Sequence, residues 1–168
     1  MKTKVKTKTK TKKTHEINVI MYTDGSCMNQ SSGIKCGYGV HFPNEERSDI
    51  SKKFTRGKLT NQRAELYAVY TGLRSVIKHC VFDKITVYTD SKYSIGCCSQ
   101  WLEKWKKNGW MNSKKKIVEN LDIIKKLDKY MSDNSHKNKI KFKHVFAHSG
   151  IKGNEKADEL AKAGALST

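Results

Sequence analysis

Two apolar runs in this chain close in the same way. INVIMYT (17–23) and KITVYT (84–89) are rich in β-branched residues, and each passes through Tyr-Thr into an aspartate, Asp24 and Asp90. Such runs read as strands buried on both faces. Between them lies a stretch of helical period, with Ala64, Ala68, Val69, Leu73, Val76, Ile77 and Cys80 on one stripe. A strand, helix, strand passage of this kind indicates a crossover within one sheet. If the two strands are parallel neighbours, about 4.8 Å apart, their C-terminal ends coincide. Asp24 then faces Asp90 across the sheet edge, where α/β folds usually place ligands.

The other segments fit around that unit. GYGVHF (37–42) and DISKKFT (49–55), divided by Pro43-Asn44, read as two further strands of an antiparallel meander. YSIGCCSQWLEKW (93–105) and IVENLDIIKKLDKYM (117–131) read as helices, with KKNGWMNSKKK as the loop between them. KIKFKHVFA (139–147) reads as a strand and NEKADELAKAGA (154–165) as a closing helix. The order is β-β-β-α-β-α-α-β-α with no Pro/Gly/Ser-rich linker, so residues 15–168 are taken as one domain. Residues 1–14 alternate Lys and Thr with nothing to bury, and read as a disordered basic arm.

Charge narrows the partners. The chain carries 34 basic and 16 acidic residues, a formal +18. The first thirteen residues hold seven lysines, yet the remainder still has 27 basic against 16 acidic residues, or +11. A surface so positive concentrates polyanions, and nucleic acid is the partner it points to over a merely solvated surface. No apolar run approaches the roughly 20 residues of a membrane helix, and beyond Met1 and Val5 the Lys/Thr arm has no apolar residues to insert. The start of the chain also lacks the apolar segment of a secretory signal. The five cysteines, Cys27, Cys36, Cys80, Cys97 and Cys98, are odd in number and form no C-x-x-C pair. They read as free thiols in a reducing intracellular compartment, nucleus or cytoplasm ahead of mitochondrion.

Two carboxylates as close as Asp24 and Asp90 would repel strongly, so either they share a proton or a cation lies between them. Two more acids fit the second option: Glu65 in TNQRAEL, near the start of the long helix, and Asp158 in HSGIKGNEKADEL, near the start of the last. Carboxylates are hard oxygen ligands suited to Mg²⁺ or Mn²⁺. Singly, each acid has a plain structural explanation, as a turn residue or as a first-turn acid facing a helix dipole. Together, those explanations do not account for two strand ends with the same Tyr-Thr-Asp.

YTDGS, TNQRAEL, YTDSKY and HSGIKGNEKADELA, in that order, resemble type 1 ribonuclease H, from about Ile17 to Ala165. The resemblance implies a five-stranded mixed sheet, three antiparallel strands plus two parallel, flanked by helices. It implies endonucleolytic cleavage of the RNA strand of an RNA–DNA hybrid by two Mg²⁺ ions, with Mn²⁺ as a substitute, leaving 5′-phosphate and 3′-hydroxyl ends. Asp24, Glu65, Asp90 and Asp158 match the four metal-binding acids, and His148 matches a loop histidine that assists proton transfer or product release. The residues alone show His148 only as a polar loop side chain, and His144 is taken as structural.

The resemblance also supplies substrate contacts. WLEKWKKNGWMNSKKK (101–116) looks like the basic protrusion that grips the DNA strand, through Trp101, Trp105, Lys106 and Lys107. Trp110 is read as a packing residue that sets the loop. Lys58, Thr60 and Asn120 match a pocket for a DNA phosphate, with Lys58 where relatives often carry Arg. Asn61 and Gln62 match residues that contact RNA 2′-hydroxyls, while Asn61 alone reads as a helix N-cap. The predicted protein is a monomer without an obligate protein partner. The rival readings are a binding module that lost catalysis, an integrase- or resolvase-type nuclease, and a domain cut from a reverse transcriptase.

Overall fold

The computed structural model describes residues 15–167, so the expectation for the Lys/Thr arm concerns residues outside those described. In chain order the elements are β1 (Asn18–Gln30), β2 (Gly33–His41), β3 (Ile50–Phe54), α1 (Asn61–His79), β4 (Lys84–Thr89), α2 (Lys92–Cys98), α3 (Leu102–Lys107), α4 (Leu121–Ser132), β5 (Ile140–His144) and α5 (Lys152–Leu166). One five-stranded sheet has the order β3-β2-β1-β4-β5. β1, β2 and β3 pair antiparallel, while β1–β4 and β4–β5 are parallel. This is the mixed sheet flanked by helices that the resemblance implied.

The sheet is covered by helices on both faces. Val19, Met21, Val40, Ile85 and Val87 are buried, with Leu66, Val69, Leu73 and Val76 of α1 in the same core. Met21 and Val40 both approach Gly72 of α1. The opposite face of β2 carries the glycines Gly37 and Gly39. A Cβ on Gly37 or Gly39 would overlap the α5 backbone at Ala161 or Ala157. The small residues of GYG and of α5 therefore let helix and sheet meet backbone to backbone, which fixes where the start of α5 lies.

Several boundaries differ from the sequence expectation. β1 does not stop at Thr23; it runs on through Asp24 to Gln30 because DGSCMNQ pairs with Gly33–Gly39. Cross-strand pairing outweighs the weak strand propensity of those residues. The segment expected as one helix over 93–105 is two. The N–H groups of Ser99 and Trp101 both reach the Gly96 carbonyl, and the Trp101 ring folds back onto Gly96, where a Cβ would clash. The helix expected from Ile117 begins at Leu121. Ile117 instead bridges Met111, and Asn120 takes a left-handed conformation, φ 60°, that no helix continues through. β5 ends at His144, before the expected 147.

The reading of five free thiols is also corrected. Cys27 and Cys36 face each other in the β1–β2 ladder, Cα atoms 4.1 Å apart, and form a disulfide. Cys80, Cys97 and Cys98 are free, and burial pushes the Cys97 thiol up to about 12. Among the described residues no helix is long and apolar enough to cross a membrane.

Candidate active site

The parallel ladder brings the two aspartates level. Met21 pairs with Val87 and Tyr22 with Tyr88, and the same offset carries Asp24 to Asp90. The rings of Tyr22 and Tyr88 stack, centroids 4.8 Å apart. Asp24 sits within β1, opposite Gly39 of β2, so it is no turn residue. Asp90 directly follows β4. Asp24 is buried, with 8% of its surface exposed, and one carboxylate oxygen accepts the Gly25 N–H at 2.7 Å.

Two helix starts bring in the other acids. Thr60 caps α1 by accepting the Arg63 N–H at 3.3 Å. Gly25 has no Cβ to strike the backbone of Ala64 and Glu65, so the first turns of α1 press against β1. The Glu65 carboxylate accepts a hydrogen bond from the Ser91 hydroxyl, whose oxygen also caps α2 by accepting the Ser94 N–H at 3.1 Å. From α5, the buried Asn154 donates its Nδ2 to Asp90 at 3.1 Å. One turn later Asp158 pairs with Lys162 at 2.6 Å.

The charge of the neighbouring acids reaches Asp24 and Glu65. Asp24 is pushed up to about 8, first by burial and then by the charge of Asp90. The Gly25 N–H opposes the rise, while Asp158 and Glu65 add to it. Burial, followed by Asp90, also raises Glu65 against the pull of its Ser91 hydrogen bond. Among the described residues no three His, Cys, Asp or Glu side chains are disposed to grip an ion as they stand. Three of the four acids are instead turned to local donors, Glu65 to Ser91, Asp90 to Asn154 and Asp158 to Lys162. The donor set itself fits a divalent cation. It offers hard oxygens, and a buried carboxylate too crowded to ionise at neutral pH is one that a cation would return to its charged form.

His148 lies on the exposed β5–α5 loop at φ 51° and makes no hydrogen bond to the four acids among the described residues. Lys58 and Gln62 are exposed near the start of α1. Asn61 does not cap the helix, since Thr60 does; its Oδ1 accepts the Cys27 N–H at 2.6 Å and ties α1 to β1. Asn120 donates to the Tyr93 hydroxyl at 2.8 Å and accepts from Arg63 at 3.3 Å; Arg63 in turn pairs with Asp122 at 2.7 Å. Thr60 and Asn120 thus flank the same buried arginine.

The Trp/Lys segment divides. Trp101 is 37% exposed and tilts against Trp105, centroids 5.6 Å apart. Trp105 and Trp110 pack on the core. Lys106 is turned inward, bonded to Asp128 at 3.0 Å and to Ser132 at 2.7 Å, whereas Lys107 is exposed. Sequence reasoning missed Ser91, Asn154 and Lys162, the residues that hold the carboxylates. Ser91 and Asn154 lay inside the quoted motifs, but only the acids there were weighed.

Over most of its length the chain is similar to known proteins. The family model for RNase H matches residues 16–166. A ribonuclease H of Francisella philomiragia is 39% identical over 88% of this chain and 91% of its own length. A ribonuclease H of Schizosaccharomyces pombe is 36% identical over 90% of this chain, which spans 57% of that protein's length. The solution structure of the PFV RNase H domain superposes with a TM-score of 0.70 at 26% identity, over 89% of this chain and 95% of that one. A foamy viral protease-reverse transcriptase solved with an RNA/DNA hybrid gives 0.73 at 23% identity, over all of this chain and 22% of the viral chain. With residues 16–166 matched by the family model, the chain belongs to the RNase H family.

Proposed function

We propose that this protein hydrolyses the RNA strand of RNA–DNA hybrids, with Asp24, Glu65, Asp90 and Asp158 as the holders of two Mg²⁺ ions. The observation that carries the reading is the level placement of Asp24 and Asp90 on parallel neighbours, with Asp24 pushed up to about 8 first by burial and then by the charge of Asp90. Bound there, paired divalent ions supply an activated water and stabilise the leaving oxygen of an in-line phosphodiester displacement.

The chain's own groups do the rest. Asn154 orients Asp90 from a second layer of donors, and Ser91 holds the Glu65 carboxylate beside the site until it turns to a cation. Lys162 offsets the charge of Asp158. His148, on its exposed loop, moves a proton or helps the product leave. Thr60, Lys58 and Asn120 take a DNA phosphate, while Asn61 and Gln62 meet RNA 2′-hydroxyls, the groups that distinguish RNA from DNA. Trp101 and Lys107 contact the DNA strand. The protein acts as a monomer.

The test is an end-labelled hybrid incubated with the protein and Mg²⁺. Cleavage of the RNA strand only, with products bearing 5′-phosphate and 3′-hydroxyl ends, is the expected result. An intact hybrid at every metal concentration would favour a binding module, and equal cutting of DNA would favour a nuclease of the resolvase type.

A further inference from the structure

A groove that the carboxylate site does not use runs beside the edge strand β3. One cavity of about 330 Å³ is lined by Tyr38, Lys52, Lys53, Arg56, Thr71 and Arg74, with Tyr67 behind them. A second of about 300 Å³ includes Thr71, Arg74, Lys78 and His79. Thr71 and Arg74 line both, so the two join into one groove between β3 and the outer side of α1. Along that helix Tyr67 to His79 spans roughly 18 Å.

The chemistry of the groove is one-sided. Lys52, Lys53, Arg56, Arg74 and Lys78 are all exposed, and no carboxylate lines either cavity. Among the described residues none of these five cations forms an ion pair. Elsewhere lysines do find acids, as Lys106 finds Asp128 and Lys162 finds Asp158. The inner wall carries the hydroxyl-bearing Tyr38, which is buried, and Thr71. The Arg56 guanidinium rests over the Tyr67 ring at 5.6 Å. Unopposed cations sharing one groove repel each other, and a chain of phosphates relieves that repulsion by displacing counterions.

The position of the groove tells which phosphates. Arg56 lies two residues before Lys58, and its carbonyl accepts from Arg63, which also bonds Asn120. The groove therefore starts beside the proposed DNA-phosphate pocket and leads away along α1. Its walls are one strand and one helix, with about 300 Å³ in its smaller half. Such walls give a channel that a single flexible backbone can follow along its length. We propose that this groove binds the sugar-phosphate backbone of a single-stranded nucleic acid, namely the overhang that continues from the hybrid. The overhang role rests on the hybrid-cleavage reading, whereas the single-strand binding does not.

The experiment uses the full chain and a fluorescein-labelled 15-nucleotide single strand, read by anisotropy across a salt series. Lys53→Glu/Arg74→Glu/Lys78→Glu is compared with Lys129→Glu/Lys137→Glu/Lys141→Glu, which makes the same charge change on exposed lysines elsewhere. The groove variant is expected to lose affinity about tenfold or more and to flatten the salt slope by about 2–3, against less than about threefold for the control. Cleavage of a blunt hybrid stays within about twofold in both. Equal loss in the two variants, or none in the groove variant, overturns the proposal. So does a poly-aspartate peptide that competes as well as an oligonucleotide of equal charge. Should the groove variant misfold, acetylation of the wild-type protein decides: selective protection of Lys52, Lys53 and Lys78 by the oligonucleotide supports the groove, and uniform protection of all lysines overturns it. Asp24→Asn is expected to retain this binding, and intact groove binding by a wild-type protein that leaves hybrids uncut would count against the catalytic reading alone.

Discussion

The side-chain amide of Asn154 donates to Asp90 at 3.1 Å, joining the start of α5 to the end of β4 across 64 residues. Asn154 is only 3% exposed and is committed to that carboxylate. Replacing it with Ala removes the donor without touching the acids. We expect turnover to fall about 10- to 100-fold and the Mg²⁺ requirement to rise, as when a group behind a ligand is lost. Steady-state assays across a metal titration check this, and unchanged metal dependence would show that Asn154 is only a packing residue.

The raised carboxyl of Asp24 makes a pH prediction with a definite sign. Its folded value of about 8 lies above its unfolded one, so the native state keeps a proton that the unfolded chain has released. The resulting stability is fully present below about pH 4 and is lost as pH climbs through 8. In a chelator, Tm should therefore fall between pH 5 and pH 9, and Asp24→Asn should flatten the decline. Mg²⁺ should restore the lost stability most strongly at the alkaline end, where the carboxylate is free to bind it. Thermal melts with and without Mg²⁺ read both effects.

Lys106 and Lys107 are neighbours with different duties. Lys106 holds α3 to α4 through Asp128 and Ser132, so Lys106→Ala should cost about 1 kcal/mol of stability and change the salt slope of hybrid binding little. Lys107→Ala should leave the melt unchanged and lower that slope by about 1. Denaturant melts and salt-dependent binding on the two single variants separate the roles.

The Cys27–Cys36 disulfide closes a short loop between residues nine apart at the β1–β2 end, beside the Asn61 contact to Cys27. Reduction, or Cys36→Ser, should cost about 2–3 kcal/mol by the loop-entropy account. Urea melts with and without a thiol reductant test this, and coincident curves would refute it.

Much of the fold was legible because its signals are local and redundant. The β-branched runs at 17–23 and 84–89 and the stripe from Ala64 to Cys80 each specify one element, and the shared Tyr-Thr-Asp ending placed two acids before any topology was known. What escaped depends on partners far along the chain. The extension of β1 through Asp24 needs β2, the pairing of Cys27 with Cys36 needs the ladder register, and the break at Ser99 needs Trp101 to turn back onto Gly96. Lys106 looked like one more surface cation in a lysine-rich run, and nothing near it in sequence announces Asp128. Of the site, the acids were readable as motif letters, whereas Asn154 and Lys162 acquire meaning only once α5 is laid against the sheet.

The most direct measurement is anomalous diffraction from crystals equilibrated with Mn²⁺. Peaks within about 2.0–2.3 Å of carboxylate oxygens of Asp24 and Asp90, with Glu65 and Asp158 swung from Ser91 and Lys162 toward them, are the predicted result. Manganese bound elsewhere, with Glu65 still on Ser91 and Asp158 still on Lys162, would contradict it.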